Sequence, residues 1–288
     1  MHLFSNVAVR RLAFLCLAVL ASPAVAMAGD ARVHQQLQCG PASLDVVVEG
    51  SGPTIVLLPS LGRDSLDYDP IAEGLVARGY QVLRPQPRGL GASRGPMDGI
   101  TLADLADDVG CAIAQAGKAP AIVVGHAYGN WVARMLAARH PQAVRGVVVA
   151  AAAAKTYPKA LSASIIRIAD PKTSREDRLT ELQATFFAPG NDAAVWLEGW
   201  HPEVRTSQRN ASDATPKALW WSAGGKVPLL DLQAASDPFM PADRRQELRE
   251  ELGPRVSVVT IPGASHALLP EQPQQVVAAI ADWAATLP

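Results

Sequence analysis

Net charge is nearly absent from this chain. Its 26 basic and 27 acidic residues leave −1 at pH 7, which removes the long-range field that would gather nucleic acid or an anionic membrane. There is no basic patch, phosphate-cradling loop, zinc-ligand spacing or internal repeat, so neither a nucleic-acid partner nor a metal or organic cofactor is implied. Cysteine is scarce too, at three residues in 288. Apart from one stretch near the start, no apolar run is long enough to suggest a membrane span.

That stretch explains the amino terminus. Arg10 and Arg11 precede LAFLCLAVLASPAVA, which ends in Ala24-Val25-Ala26 and an overlapping Ala26-Met27-Ala28. A basic start, a short apolar run and small residues before a cleavage point describe a secretory leader over residues 1–28. The run is shorter than the ~20 residues of a spanning helix, so we expect no stable anchor after its removal. Cys16 lacks the small residue of a lipoprotein site, and the context of the paired arginines fits the twin-arginine route poorly. We therefore expect a periplasmic or secreted protein. Two cysteines remain, Cys39 near the first strand and Cys111 in mid-helix. Their expected separation makes a buried free thiol the expectation for at least one of them.

With 49% hydrophobic and 18% charged residues, the rest can bury a sizeable core. LDVVVEG (44–50) and TIVLLP (54–59) read as strands joined by Gly-Ser-Gly-Pro. A helix near 69–78, a strand at 80–86 and a helix over 102–116 follow. The strand AIVVG (121–125) runs into a helix that starts at Tyr128, and VRGVVVAAAA (144–153) is the next strand. VPLLDLQAA (227–235) and VSVVTIPG (256–263) are the last two strands, before a closing helix over 273–285. Continuous apolar strands alternating with helices predict an α/β fold, a mostly parallel sheet covered on both faces. Residues 155–222 interrupt that alternation and are too long for a plain connection, so we expect a helical cap over the sheet's carboxyl edge. Trp196, Trp200, Trp220, Trp221, Phe186 and Phe187 lie in it. Packing accounts for most of them, while Trp196, Trp200, Phe187 and His201 are candidates to line a pocket.

Four segments together resemble the α/β-hydrolase family with a cap, from about residue 40 to the end. LLPSLGR (57–63) stands where that family has its oxyanion turn, and RPQPRGLGAS (84–93) resembles its Pro-Asp-x-Arg-Gly loop with Gln86 at the acidic position. GHAYG (125–129) resembles the nucleophile elbow, and AASDPFMPAD (234–243) with PGASHALL (262–269) resembles the segments carrying acid and base. The resemblance implies a core over 29–154 and 223–288 split by the cap at 155–222. It implies Asp237 as the orienting acid, His266 as the base, and backbone N–H groups of Leu61 and Tyr128 as oxyanion donors. His126 is expected to pack below the site.

The elbow has no serine: Ala127 occupies the nucleophile position. A bacterial subgroup of the family resembles this chain in pairing Gly-His-Ala-aromatic-Gly with Pro-Ser-Leu-Gly-Arg, which favours a natural alanine. Ser60, on the neighbouring strand's turn, is the candidate replacement. The other readings are a turn cap, or an oxyanion donor. Alternatively His266 activates water, or takes a proton from substrate in lyase or isomerase chemistry. The function expected is hydrolysis of a small, largely apolar ester or related acyl compound. The alternative is a hydrolase-fold protein that binds a small molecule without turnover.

Overall fold

The computed structural model describes residue 2 and residues 32–288; the leader expected over 1–28 lies outside the described residues apart from His2. The strands are β1 (Val33–Cys39), β2 (Ala42–Glu49), β3 (Thr54–Leu58), β4 (Gln81–Pro85), β5 (Ala121–His126), β6 (Val144–Ala150), β7 (Leu229–Ala234) and β8 (Val256–Ile261). The helices are α1 (Asp69–Val76), α2 (Leu102–Ala116), α3 (Gly129–Arg139), α4 (Lys159–Ala169), α5 (Arg175–Thr185), α6 (Pro202–Asp213), α7 (Glu247–Leu252), α8 (Leu268–Glu271) and α9 (Pro273–Ala285). Among the described residues no helix is long and apolar enough to cross a membrane.

The sheet order is β1-β2-β4-β3-β5-β6-β7-β8. β1 and β4 pair antiparallel with β2, and every pairing from β4 onward is parallel. β3 and β5 are buried along their whole length, as expected where helices cover both faces and every strand position must be apolar. α2 and α3 lie over one face, with Leu102, Val109 and Leu136 in a core shared with Val56 and Val123. α1 and α9 cover the other, where Ile71, Val276 and Ile280 meet Ile55, Ile122 and Leu230.

β2 and β3 do not form a hairpin, although four residues join them. β4 lies between, pairing Val48 with Leu83 on one side and Val56 with Leu83 on the other. The connection must therefore pass close over the chain entering β4. At Gly50 (φ +69°) a Cβ would lie 2.5 Å from the Tyr80 carbonyl oxygen, and at Gly52 (φ +117°) one would collide with that of Gly79. Only glycine fits either place.

Two features depart from the sequence reading. The segment VHQQLQC is an edge strand, β1; only Leu37 and Cys39 are buried, and the run His34-Gln35-Gln36, with Gln35 at an inward position, breaks the period-two signal. Its presence overturns the expected free thiol. Cys39 and Cys111 form a disulfide, with Cα atoms 5.7 Å apart. α2 packs across β1 and β2, so Leu37, Cys39 and Leu44 share a core with Ala106 and Val109, against which Cys111 also packs. Mid-helix Cys111 thus meets the end of the edge strand.

Between β6 and β7, residues 155–222 carry α4, α5 and α6. Ile168, Leu182, Phe186, Trp196 and Leu197 form a separate apolar cluster that closes against Phe239 and Ala267, on the loops after β7 and β8.

A cross-link spanning 72 residues is worth about 4 kcal/mol in the chain-entropy account. The double variant Cys39→Ser/Cys111→Ser is expected to melt roughly 5–15 °C lower by calorimetry. An unchanged midpoint would show that the bond contributes little.

Candidate active site

The elbow is built although its side chain is a methyl. β5 ends at His126, α3 begins at Gly129, and Ala127 between them has φ +45°, a conformation that costs an L-residue roughly 1–2 kcal/mol. Its N–H donates to the Ala150 carbonyl at 2.9 Å. A Cβ on Gly125 would collide with the backbone of Gly129 and Asn130, and one on Gly129 would lie 2.5 Å from the Leu58 oxygen. Both flanking glycines are therefore required by the turn itself, whatever residue it presents.

Pairing of β3 with β5 aligns Leu58 with Gly125. Ser60 and Ala127 stand two residues beyond that pair, at equal offsets past neighbouring strand ends, and both line one cleft. The backbone donors of the Ser60 turn are divided. The Ser60 N–H donates to the Tyr68 hydroxyl at 3.0 Å, and the Gly62 N–H to the Gln208 side-chain oxygen at 2.7 Å. The Arg63 N–H donates to the Ser60 carbonyl at 3.1 Å. Leu61 N–H, between them, has no acceptor among the described residues, and neither has Tyr128 N–H. Unpaired N–H groups beside a cleft are what an oxyanion can use.

His266 also faces this cleft. Its Nδ1 lies 2.9 Å from Asp237 Oδ2, while Asp237 Oδ1 accepts from the Phe239 N–H at 2.8 Å. Both side chains are buried. The carboxylate claims the Nδ1 proton, so the Nε2 lone pair is the basic site. Nε2 has no protein partner among the described residues, and no hydrogen bond joins it to Ser60 Oγ. Phe239 packs over the imidazole, with ring centroids 4.1 Å apart, and limits its rotation.

A second, fully buried chain sets the height of His266. The Tyr68 hydroxyl, which accepts from Ser60 N–H, lies 2.9 Å from His126 Nδ1, and His126 Nε2 lies 2.8 Å from the His266 carbonyl oxygen. The hydroxyl must therefore donate to Nδ1, leaving the proton on Nε2 to reach the carbonyl. Burial raises the Tyr68 phenol's pKa and pulls that of His126 down to about 3, with His266 and Arg63 adding to the latter effect. Both groups are neutral, and together they tie the Ser60 turn to the loop carrying His266. His126 thus packs below the site, as expected.

The insertion is locked onto the same turn. Arg63, 1% exposed, pairs with Asp67 at 2.6 Å and donates to the carbonyls of Trp196 and Glu198. Its guanidinium also lies 4.7 Å from the Trp196 ring centre and 4.8 Å from that of Trp200. Gly62 (φ +67°) must be glycine, since a Cβ there would lie 2.8 Å from Arg205 Cβ.

The cleft is partly open to solvent. Trp200 lines it. Phe187 and Trp196 do not: they are buried against each other, with ring centres 6.0 Å apart, in the insertion's own core. His201 does not line it either; it precedes α6 and donates its backbone N–H to the Gly62 carbonyl. The walls that sequence reasoning did not single out are Tyr157, Ile165, Phe186, Phe239, Trp131 and Arg209. Phe239 was accessible to inspection, sitting two residues after Asp237; the others depend on how α3, α4, α6 and the segments beside α4 and α5 face the cleft.

A family model described as the alpha/beta hydrolase family matches residues 55–280. The chain belongs to that family. It is 26% identical over 247 residues to a pyrethroid hydrolase of Sphingobium wenxiniae, covering 80% of this chain and 87% of that one. It is 30% identical over 122 residues to a 2-(acetamidomethylene)succinate hydrolase of Mesorhizobium japonicum; that match covers 42% of this chain and less than half, 44%, of the relative. An esterase from Exiguobacterium antarcticum superposes with a TM-score of 0.71 at 17% identity, over 88% of this chain and all of that one, a likeness of fold.

The buried His126 supplies a pH signature. Its folded pKa lies below the ordinary 6.5, so the unfolded chain binds the extra proton between pH 6.5 and about 3. Stability is complete above that window and falls as pH drops through it, by up to several kcal/mol. Denaturant midpoints at pH 7, 5.5 and 4.5 are expected to decline in order, and His126→Gln should flatten the decline. An equal slope in both proteins would assign it to other groups.

Proposed function

We propose that this alpha/beta hydrolase family member is a hydrolase of small acyl compounds, of carboxylic-ester type, in which His266 activates water. The observation that carries the reading is the Asp237-oriented imidazole, with its Nε2 facing the cleft that Leu61, Tyr128 and the small Ala127 line. Nε2 takes a proton from water as the water oxygen bonds to the carbonyl carbon. The resulting oxyanion accepts from the Leu61 and Tyr128 N–H groups. Collapse breaks the bond to the leaving oxygen, which receives the proton from His266, giving acid and alcohol. The Ala127 methyl leaves space where a serine hydroxyl would otherwise stand. Hydrolase names among the relatives support the reaction class, and the aromatic walls of the cleft support an apolar substrate body.

A second mechanism has its own observation. Ser60 matches Ala127 in offset from the paired strand ends, and Leu61, which follows it, carries an uncommitted N–H. Tyr128 after Ala127 has the same relation. Attack by Ser60 Oγ, with His266 taking its proton, would restore a covalent acyl-enzyme.

We further propose export to an oxidising compartment. The leader-like residues 1–28 and the Cys39–Cys111 disulfide support it independently.

The test is turnover of 4-nitrophenyl butyrate together with fluorophosphonate labelling. His266→Ala is expected to lose about 10²–10⁴-fold in kcat/KM. Ser60→Ala should stay within several-fold of the parent, and the parent should take no label. A labelled Ser60, or loss of activity on its removal, would replace water with the serine mechanism. Ala127→Ser is expected to become label-reactive, since the elbow backbone already holds that residue in position. If the parent hydrolyses no short acyl ester, the hydrolase reading fails in favour of a pocket that binds only.

A further inference from the structure

The cleft beside His266 adjoins a second, more open space, sharing Trp131, Ala153, Tyr157 and Arg209 with it. The two spaces differ in character. The inner one is walled by aromatic and aliphatic groups, and Arg209 is its only Lys, Arg, Asp or Glu. The outer one is lined by Arg209, Lys155 and Lys217 against a single acid, Asp213. An aromatic series joins them: Tyr128, whose N–H is an uncommitted donor, lies 5.5 Å from Trp131, Trp131 stacks on Trp220 at 5.4 Å, and Trp220 meets Trp221 at 5.9 Å.

The cations of this outer space are unevenly neutralised. Lys155 is held by Glu251 at 2.6 Å, and that carboxylate also accepts from Trp221 Nε1. Glu247 faces the same corner through the Lys155 N–H. Lys217 has no carboxylate within ion-pair distance among the described residues; its ammonium lies 3.8 Å from the Trp221 ring centre, with buried Arg134 on the same ring at 4.5 Å. Burial, then Lys155 and Arg134, holds the Lys217 ammonium below its ordinary range, against the opposing pull of Glu247 and Glu251. Arg209 has only Asp213, 3.6 Å away and largely in solvent, and it lies near another cation, Arg205. Arg209 and Lys217 are thus the lining cations without a close carboxylate, and a cation so placed at the border of an apolar cleft favours an anion there.

We propose that this outer space is a subsite for a carboxylate on the substrate, read by the Arg209 guanidinium with Lys217 beside it. Arg209 is placed to do this because it alone among the cations borders both spaces: a substrate whose acyl carbon sits at His266 would extend past Trp131 and present its charge to the planar fork. The inference rests on the hydrolase reading for the word substrate. It narrows the class from apolar acyl compounds to those carrying one negative charge remote from the scissile bond.

The test reads binding without turnover. Tryptophan fluorescence is titrated with 4-phenylbutyrate and with 4-phenylbutan-1-ol, matched in shape and differing in charge; Trp131, Trp220 and Trp221 border the outer space. The acid is expected to bind at least 10-fold more tightly than the alcohol in low salt, with the ratio shrinking at high salt. Arg209→Gln should bring the ratio near one, Arg209→Lys should keep part of it, and Lys217→Gln should lower it a few-fold. Equal binding of the two probes by the parent, no binding of either, or an undiminished preference in Arg209→Gln overturns the proposal. A catalytically silent protein that prefers the acid would sink the hydrolase reading alone. Turnover of neutral esters with no preference for the acid would sink the subsite alone.

Discussion

The parallel pairing of β3 with β5 is the constraint on which the site depends. Ladder hydrogen bonds align Leu58 with Gly125, so two tight turns leave the sheet side by side at one height. Each presents a small residue to the cleft, Ser60 or Ala127, and each is followed by a residue whose N–H is left over. Glycine at 129 lets the two turns approach. A sheet with another register would not bring Leu61 and Tyr128 N–H groups to one place.

Around that pairing, buried polar groups act as spacers. Tyr68 and His126 run from the Ser60 N–H to the His266 carbonyl through neutral hydrogen bonds, and neutrality matters because neither end offers a full counter-charge. Arg63 is the opposite solution, a buried cation neutralised by Asp67 and by insertion carbonyls. One chain fixes base to turn, and the other fixes insertion to turn. The imidazole, its carboxylate and the two free N–H groups are thereby preorganised although the elbow carries no nucleophile.

Much of this could be read from the residues. The α/β fold, the bounds of α2 and α9, and the strands ending at the elbow, at Asp237 and at His266 follow from apolar runs and turn chemistry, which act over short distances. Asp237 and His266 were legible because each sits just past a strand, β7 or β8, and parallel strands deliver their carboxyl ends to one edge. β1 was not legible because an edge strand exposes one face, and its glutamines hide the alternation. The disulfide was missed with it, since the partner of Cys111 is decided by which strand lies beneath α2.

What the sequence determined by itself was the strands from β2 to β8, the glycine-framed elbow, and the placing of Asp237 and His266 past strand ends, all consequences of local pattern repeated in order along the chain. Tertiary structure alone decided which faces of the insertion look inward. Trp196 and Phe187 became packing, while Trp200, Phe186 and Arg209 became walls of the cleft. Residues of one insertion share composition, and only the docking of its helices and connecting segments on the sheet determines which of them line the cleft and which meet each other.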